Sequence, residues 1–318
     1  MTRLKIGYLL PTRELAVRDE HDLAPLVTQA RRAERLGLDS VWAGDGPVTR
    51  QRADPLLLLA SAAQATERVT LGTAVLLPAL RHPILLAQQF ATLDRLSGGR
   101  LIAGLGGGFP NPATQAQFAA LGIGFGTRMS RMEESIDAMR QLWSGRTVSY
   151  KGDHFAFEDL RIAPSPSRSG GPPIWLAASG AAGLRRVARL ADGWLPYPPT
   201  AAAYAQDREF VERVAEQAAP SRAVTPALYT TLCLDEDPEV AQRRLRASVE
   251  RYYNAPFEFI ASLQAVFAGT PGQAAAWLSG YIEAGARHLV IRLATDDHAA
   301  GLEELADQVL PLLRAKDR

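Results

Sequence analysis

Residues 69–77, VTLGTAVLL, and residues 100–109, RLIAGLGGGF, are two short apolar runs that end in glycine or other small residues, with a helix-length segment between them. Apolar runs without alternation fit strands buried on both faces, as in parallel sheets flanked by helices. Working outward from this pair, the same unit recurs. Residues 4–10 read as a strand closed by Pro11, after which Leu23, Leu26, Val27, Ala30 and Ala33 follow at helical spacing before Gly37. Residues 40–43 predict a second strand, and Asp54-Pro55 supplies an N-cap and a first-turn proline for the next helix. Pro83 starts the helix between the two opening strands, with Leu86, Phe90 and Leu93 on one face.

On the C-terminal side, Met132, Ile136, Met139 and Leu142 mark another helix, and residues 147–162 read as a β-hairpin that interrupts the rhythm. Strands at 173–177, 192–195, 225–234 and 288–293 restore it, and residues 237–283 read as helical with breaks near 254–257 and 269–272. Eight strand–helix units in order predict an α/β protein of the (β/α)8 TIM-type barrel class, with a hairpin insertion between strands 4 and 5. Residues 1–318 form one domain on this reading, with the insertion at about 145–165 and a loop or helical excursion at about 253–271. A doubly wound open sheet is the alternative that alternation alone leaves open. The connection 108–126, with Pro110, Asn111 and Pro112, reads as a long loop, a type that usually carries function.

The 35 Lys and Arg residues against 34 Asp and Glu give a net charge of +1, with both signs interspersed. This balance gives no electrostatic footprint for nucleic acid or an anionic membrane. No apolar run is long enough to span a bilayer, and MTRLKIGYLL is too short to be a signal peptide, so a soluble cytoplasmic protein is expected. The single cysteine, Cys233, excludes an intramolecular disulfide and a CxxC redox pair.

In a barrel, chemistry sits at the C-terminal ends of the strands. Lys5, Lys151 and Lys316 all lie elsewhere, which excludes a Schiff-base lysine. His21, His82, His154, His288 and His298 show no metal-ligand spacing, so no metal is expected. There is no GxSxG elbow and no P-loop lysine. The strand ends carry small residues with a few polar or aromatic ones: Asp45, Asn111, Ser179, Trp194, Tyr197 and Arg292. A site so poor in acids, bases and nucleophiles implies that a cofactor performs the chemistry.

The ordered runs LGLDSVWAGD, LGTAVLLPALRHPILLAQQFATLDRLSGGRLIAGLGGGF, MEESIDAMRQLWSG, VSYKGDHFAFE, PPIWLAASG and RLADGWLP resemble the luciferase-like flavin-dependent oxidoreductases over about residues 4–200. The C-terminal third, ending in GARHLVIRL, is similar more loosely. The resemblance implies FMN, or its deazaflavin relative coenzyme F420, at the barrel mouth. Monooxygenation of a small organic substrate by reduced FMN and oxygen is the leading expectation, with a separate flavin reductase as partner. Hydride transfer with F420 is the alternative, and a non-catalytic flavin-binding protein is an alternative of another class. A homodimer is also expected from the resemblance.

The resemblance places Gly72, Thr73 and Ala74 at a strand-end bulge beside the ring, which in some members contains a non-proline cis peptide. The physical reason is that a flat ring needs close backbone approach. Gly106 and Gly108 mark a tight strand exit beside the same ring, since GLGGGF is not a GxGxxG that opens a helix. Ser179 and Gly180 precede a helix whose N-terminus suits the cofactor phosphate. Phe109, Trp194 and Tyr197 are expected to line the substrate pocket. Arg292 either binds an anionic substrate or forms a salt bridge, and Asn111 either contacts a ligand or caps a turn. Asp45 and Asn111 are the remaining catalytic candidates. Two positions depart from relatives: Gly46 stands where histidine commonly follows the aspartate, and Phe109 stands where F420-dependent sugar-phosphate dehydrogenases carry a glutamate.

Overall fold

A computed structural model describes residues 3–218 and 223–316. Its strands are β1 (Lys5–Leu9), β2 (Ser40–Ala43), β3 (Thr70–Thr73), β4 (Leu101–Leu105), β5 (Val148–Lys151), β6 (Ala156–Leu160), β7 (Ile174–Leu176), β8 (Gly193–Trp194), β9 (Thr225–Leu234), β10 (Val266–Gly269) and β11 (His288–Leu293). Strands β1, β2, β3, β4, β7, β8, β9 and β11 pair in parallel in that order, and β11 returns to β1, which closes an eight-stranded barrel. The open-sheet alternative is thereby excluded. β5 and β6 form the separate antiparallel hairpin between the fourth and fifth barrel strands. Glu134 holds it by accepting the amides of His154 (2.9 Å) and Phe155 (3.1 Å).

β10 was not apparent from the sequence, where residues 237–283 read as interrupted helix. Val266–Gly269 instead pairs with the C-terminal half of β9, directly beyond β8 on the same edge. Thr270 ends this strand and begins the helix Pro271–Glu283 with a capping box, Thr270 and Gln273 satisfying each other's backbone amides. The preceding excursion starts earlier than residue 253. The helix Pro238–Tyr253, capped by Asp237, leaves β9 and ends at Asn254 in the left-handed region, and the short helix Phe257–Ala261 leads back to β10. The supposed long loop 108–126 also contains a helix, Pro112–Ala120, because Asn111 caps it and Pro112 occupies its first turn.

The barrel interior explains the glycines of the opening strands. Trp42 on β2 is in register with Gly72 on β3, and Trp175 on β7 is in register with Gly104 on β4 and Gly193 on β8. A Cβ on Gly72 would lie 2.1 Å from Trp42 Cε3, and one on Gly193 would lie 2.4 Å from Trp175 Nε1. The two indoles pack with centroids 5.3 Å apart, and His288 meets both edge-on at 5.6 and 5.0 Å. Ser40 Oγ accepts from Trp42 Nε1 at 2.7 Å and bonds His288 Nε2 at 2.7 Å. Each large ring thus occupies the space vacated by a glycine on a neighbouring strand, which is how a narrow barrel reaches interior packing density.

Candidate active site at the barrel mouth

Past β3 the chain bulges. The Ala74–Val75 peptide is cis, both residues are half-buried, and Leu76 then rejoins β4 by bridging Leu105. The Leu76 amide donates to Gly104 O and the Gly106 amide to Leu76 O, each at 2.9 Å. A Cβ on Gly106 would lie 2.6 Å from Val75 Cγ2 and 4.0 Å from Ala177 Cβ, so the ends of β3, β4 and β7 form one continuous floor of small groups. From Ala177 the chain runs to Ser179 and Gly180, both exposed, at the start of the helix Gly180–Leu190. Ser179 makes no side-chain cap, Gly180 has φ of 67°, and nothing lies within 4 Å of where its Cβ would stand. The first amides of that helix are therefore accessible to an anion.

Several expected site residues lie elsewhere or are already engaged. Gly72 is below the mouth and covered by Trp42, so its missing side chain accommodates an indole of the protein and not a ligand. Thr73 points out of the barrel and is fully buried, with its hydroxyl donating to Gly104 O at 2.6 Å. Gly106 makes room for Val75, and Gly108 serves a turn with φ of 81° against Thr114. Asn111 Oδ1 accepts the Thr114 amide at 2.8 Å, the capping role rather than the ligand role. Trp194 also points outward. It is 1 % exposed, donates to Ala178 O at 2.9 Å and stacks on Tyr204 at 5.2 Å, so it belongs to the layer between barrel and helices, not to a substrate pocket.

Asp45 is likewise already engaged. Its side chain is 3 % exposed, forks onto Arg81 Nη1 (2.6 Å) and Nη2 (3.0 Å), and accepts the Leu77 amide (3.0 Å). It ties the loop after β2 to the loop after β3. Burial by itself would lower the Arg81 pKa; the Asp45 carboxylate overcomes that and leaves it raised. Gly46 beside it has no room for a side chain, since a Cβ would lie 2.5 Å from Thr49 O. Arg292 resolves as the salt bridge: its Nε donates to Glu14 Oε1 and its Nη2 to Ser248 Oγ, each at 2.8 Å. Ala74, Phe109, Ser179, Gly180 and Tyr197 remain half-buried or exposed at the strand ends.

The wall of the mouth that the sequence reading did not single out is built of arginines and tyrosines. Arg13 follows β1, Arg50 and Arg52 follow β2, and Tyr252 and Tyr253 come from the last turn of the helix Pro238–Tyr253. Arg50 lies over the Tyr253 ring at 5.0 Å, Arg52 and Arg292 over Tyr252 at 5.5 and 4.0 Å. Burial pushes the Tyr197 hydroxyl up, and the charge of Arg50 draws it partly back. The wide separation of these residues along the chain, 200 positions between Arg52 and Tyr252, hid the cluster.

Among the described residues, no group of three or more His, Cys, Asp or Glu side chains could hold a metal ion, and no helix is long and apolar enough to cross a membrane. His288 and His298 are buried neutral imidazoles, lowered to about 3 and about 4 by desolvation, and Cys233 is pushed up to about 11 by burial. These groups lie outside the mouth's small-residue floor.

A closed barrel whose mouth offers a flat floor, an open helix N-terminus and few acids or bases defines a cofactor-carrying barrel enzyme. Residues 4–288 match the family model described as luciferase-like monooxygenase, and the chain belongs to this family. It is an oxidoreductase. It is 30% identical to an F420-dependent glucose-6-phosphate dehydrogenase of Amycolatopsis mediterranei, with 98% of this chain and 99% of the relative covered. It is 31% identical to the enzyme of the same description from Beutenbergia cavernae, covering 99% of each. Among solved structures, a monooxygenase from Streptomyces bottropensis superposes with a TM-score of 0.82 at 23% identity, covering 97% of this chain and 99% of that one.

Proposed function

We propose that the protein is a coenzyme F420-dependent oxidoreductase that transfers a hydride between the deazaflavin and a small organic substrate. The observation that carries this reading is the full-length similarity, at 30% and 31% identity, to enzymes described as F420-dependent. The expectation of FMN and oxygen gives way to it. The superposition on a monooxygenase, at 23% identity, speaks for the fold alone. The expectation of a separate flavin reductase goes with the FMN reading.

The residues present suit such a cofactor. Ala74, Val75 and Ala177 leave the floor open to a flat ring, and the uncapped helix start at Ser179 and Gly180 suits a phosphate. When bound, F420 supplies a two-electron hydride carrier. The protein's own part is to fix the ring against the bulge, hold the phosphate at the helix N-terminus, and close the site with Phe109 and Tyr197. Oxidation of glucose 6-phosphate is not carried over from the relatives. Gly46 and Phe109 stand where histidine and glutamate are expected in those enzymes, and the 2.5 Å approach of Thr49 O leaves no room for a side chain at Gly46.

Titration with F420 and with FMN, followed by visible absorbance and fluorescence, tests the assignment. Saturable binding of F420 with little or none of FMN is the expected result; the reverse preference would overturn it. A homodimer is part of the proposal and is read by light scattering coupled to gel filtration.

A further inference from the structure

We propose that Arg13, Arg50 and Arg52 form a pocket for an oxyanion of the substrate, a carboxylate or a phosphate, placed beside the Ala74–Val75 bulge. The inference rests on the F420-dependent reading only for the statement that the bound anion belongs to the substrate. Arg52 Nη1 lies 2.1 Å from where a Gly44 Cβ would stand, and that point is 3.4 Å from Ala74 O. Gly44 therefore lets this guanidinium lie on the backbone immediately next to the floor of the mouth. Arg52 Nε donates to Arg50 O at 3.1 Å, which ties the two arginines together, and its Nη1 donates to Tyr252 OH at 3.2 Å. Arg13 Nη1 reaches Gln51 O at 3.4 Å, on the residue between them.

Three guanidinium groups thus converge on one short loop. Among the described residues none of them has a carboxylate within 4.0 Å. Glu14 is the carboxylate whose charge acts on both Arg13 and Arg52; its Oε1 accepts from the buried Arg292, and its Oε2 makes no hydrogen bond among the described residues. Arg13 is lowered, first by burial and then by Arg52 and Arg50, whereas Arg52, in spite of its burial, is raised by Tyr252 and Glu14. Tyrosine faces, rather than counter-ions, surround the group. Arginines left without carboxylates in a partly enclosed mouth present forked donors suited to a planar carboxylate or a phosphate. The Ser179–Gly180 helix start is a separate anion site on the opposite run of strands, the one assigned above to the cofactor.

The test is calorimetric titration of inorganic phosphate, and separately of benzoate, into the F420-loaded protein, in which the cofactor's own phosphate site is filled. Saturable binding of either probe is expected, and the stronger one identifies the class of anion. Arg50→Gln combined with Arg52→Gln should weaken that probe by about 10- to 100-fold while F420 affinity stays within about twofold. Arg52→Lys, which keeps the charge and loses the fork, should fall between. Absence of binding of both probes to the wild type, or an unchanged affinity in the double variant, overturns the proposal. If the double variant fails to fold, Arg50→Gln alone carries the comparison, because among the described residues that side chain makes no hydrogen bond or ion pair and lies over the Tyr253 ring. Failure of the F420 reading is distinct: the wild type then fails to bind F420, while the same probes titrated into the unloaded protein still report on the arginines through the variants.

Discussion

Replacing Gly72 by alanine tests whether the opening glycines serve the protein's own indoles. The added Cβ would stand 2.1, 2.2 and 2.6 Å from three atoms of the Trp42 ring, against an ordinary contact distance near 3.4–4 Å. Trp42 cannot retreat. It is fully buried, held by Ser40 at 2.7 Å, and boxed in by Trp175 and His288. Overpacking of this kind typically costs 1–3 kcal/mol, and a rigid, fixed ring places Gly72→Ala at about 3 kcal/mol. Trp42→Phe on its own should cost about 2 kcal/mol through the lost ring volume. Combined, the smaller ring leaves room for the methyl group, so the two costs should fall short of additivity by at least ~1.5 kcal/mol. Urea denaturation of the four proteins of this cycle, with equal m-values required, measures the coupling. Costs that add to within about 0.5 kcal/mol would refute the account of Gly72 as a socket for Trp42. Loss of F420 affinity in a Gly72→Ala protein of near wild-type stability would restore the ligand-facing role.

Asp45→Asn should destabilise the protein by about 2–4 kcal/mol, the lower end reflecting partial exposure of Arg81 and its second carboxylate Asp54 at 3.4 Å. Thermal melts should show the loss while turnover per folded molecule is retained; a stable variant without activity would return Asp45 to the catalytic list. Trp194→Phe loses the bond to Ala178 O and part of the stack on Tyr204, about 1–3 kcal/mol, and should leave KM unchanged; a KM change without a stability loss would put the ring in the pocket. Stability should fall as the pH drops below the ordinary histidine range. His288 has its folded pKa depressed to about 3, so the unfolded chain takes up the proton first and the stability present above pH 6.5 is lost on the way down to that value. Urea melts from pH 7 to 4.5 should show a loss from this group of about 2–3 kcal/mol, reduced in His288→Gln, and an unchanged slope in the variant would count against it. Gly180→Ala, at a φ of 67° that disfavours a side chain, should weaken F420 binding more than it lowers the melting temperature, and equal F420 affinity would separate this helix start from the cofactor.

The strand order was legible because eight apolar runs, spaced by amphipathic helices, leave few arrangements that bury every run. What those runs conceal is parity. A strand covered on both faces is apolar at every position, so the sequence carries no alternation to say which residue faces the interior. On β8 the order is Gly193 inward, Trp194 outward, Leu195 inward, and only register with Trp175 reveals it. Taking Trp194 as a pocket residue is a slip by one position, and a slip by one turns every side chain of a strand to the other face. Thr73 fails for the same reason, one residue from the inward Gly72.

The glycines fail differently. A glycine announces close approach but not what approaches, and in this barrel the flat groups received by Gly72 and Gly193 are the indoles of Trp42 and Trp175, one layer below the mouth. The ring floor shifts accordingly to Ala74, Val75 and Ala177, whose small side chains, rather than absent ones, define it. The arginine pocket had no local signal at all: Arg13 follows the proline that closes the first strand, and Arg50 and Arg52 sit in a polar loop of mixed charge. Their meaning depends on a glycine at position 44 and two tyrosines at 252 and 253, some 200 residues away by the Arg52–Tyr252 bond. That distance explains why the proposed cofactor cradle is readable along one continuous third of the chain, while the proposed anion pocket, assembled from loops over β1 and β2 and an excursion after β9, forms only when the barrel closes.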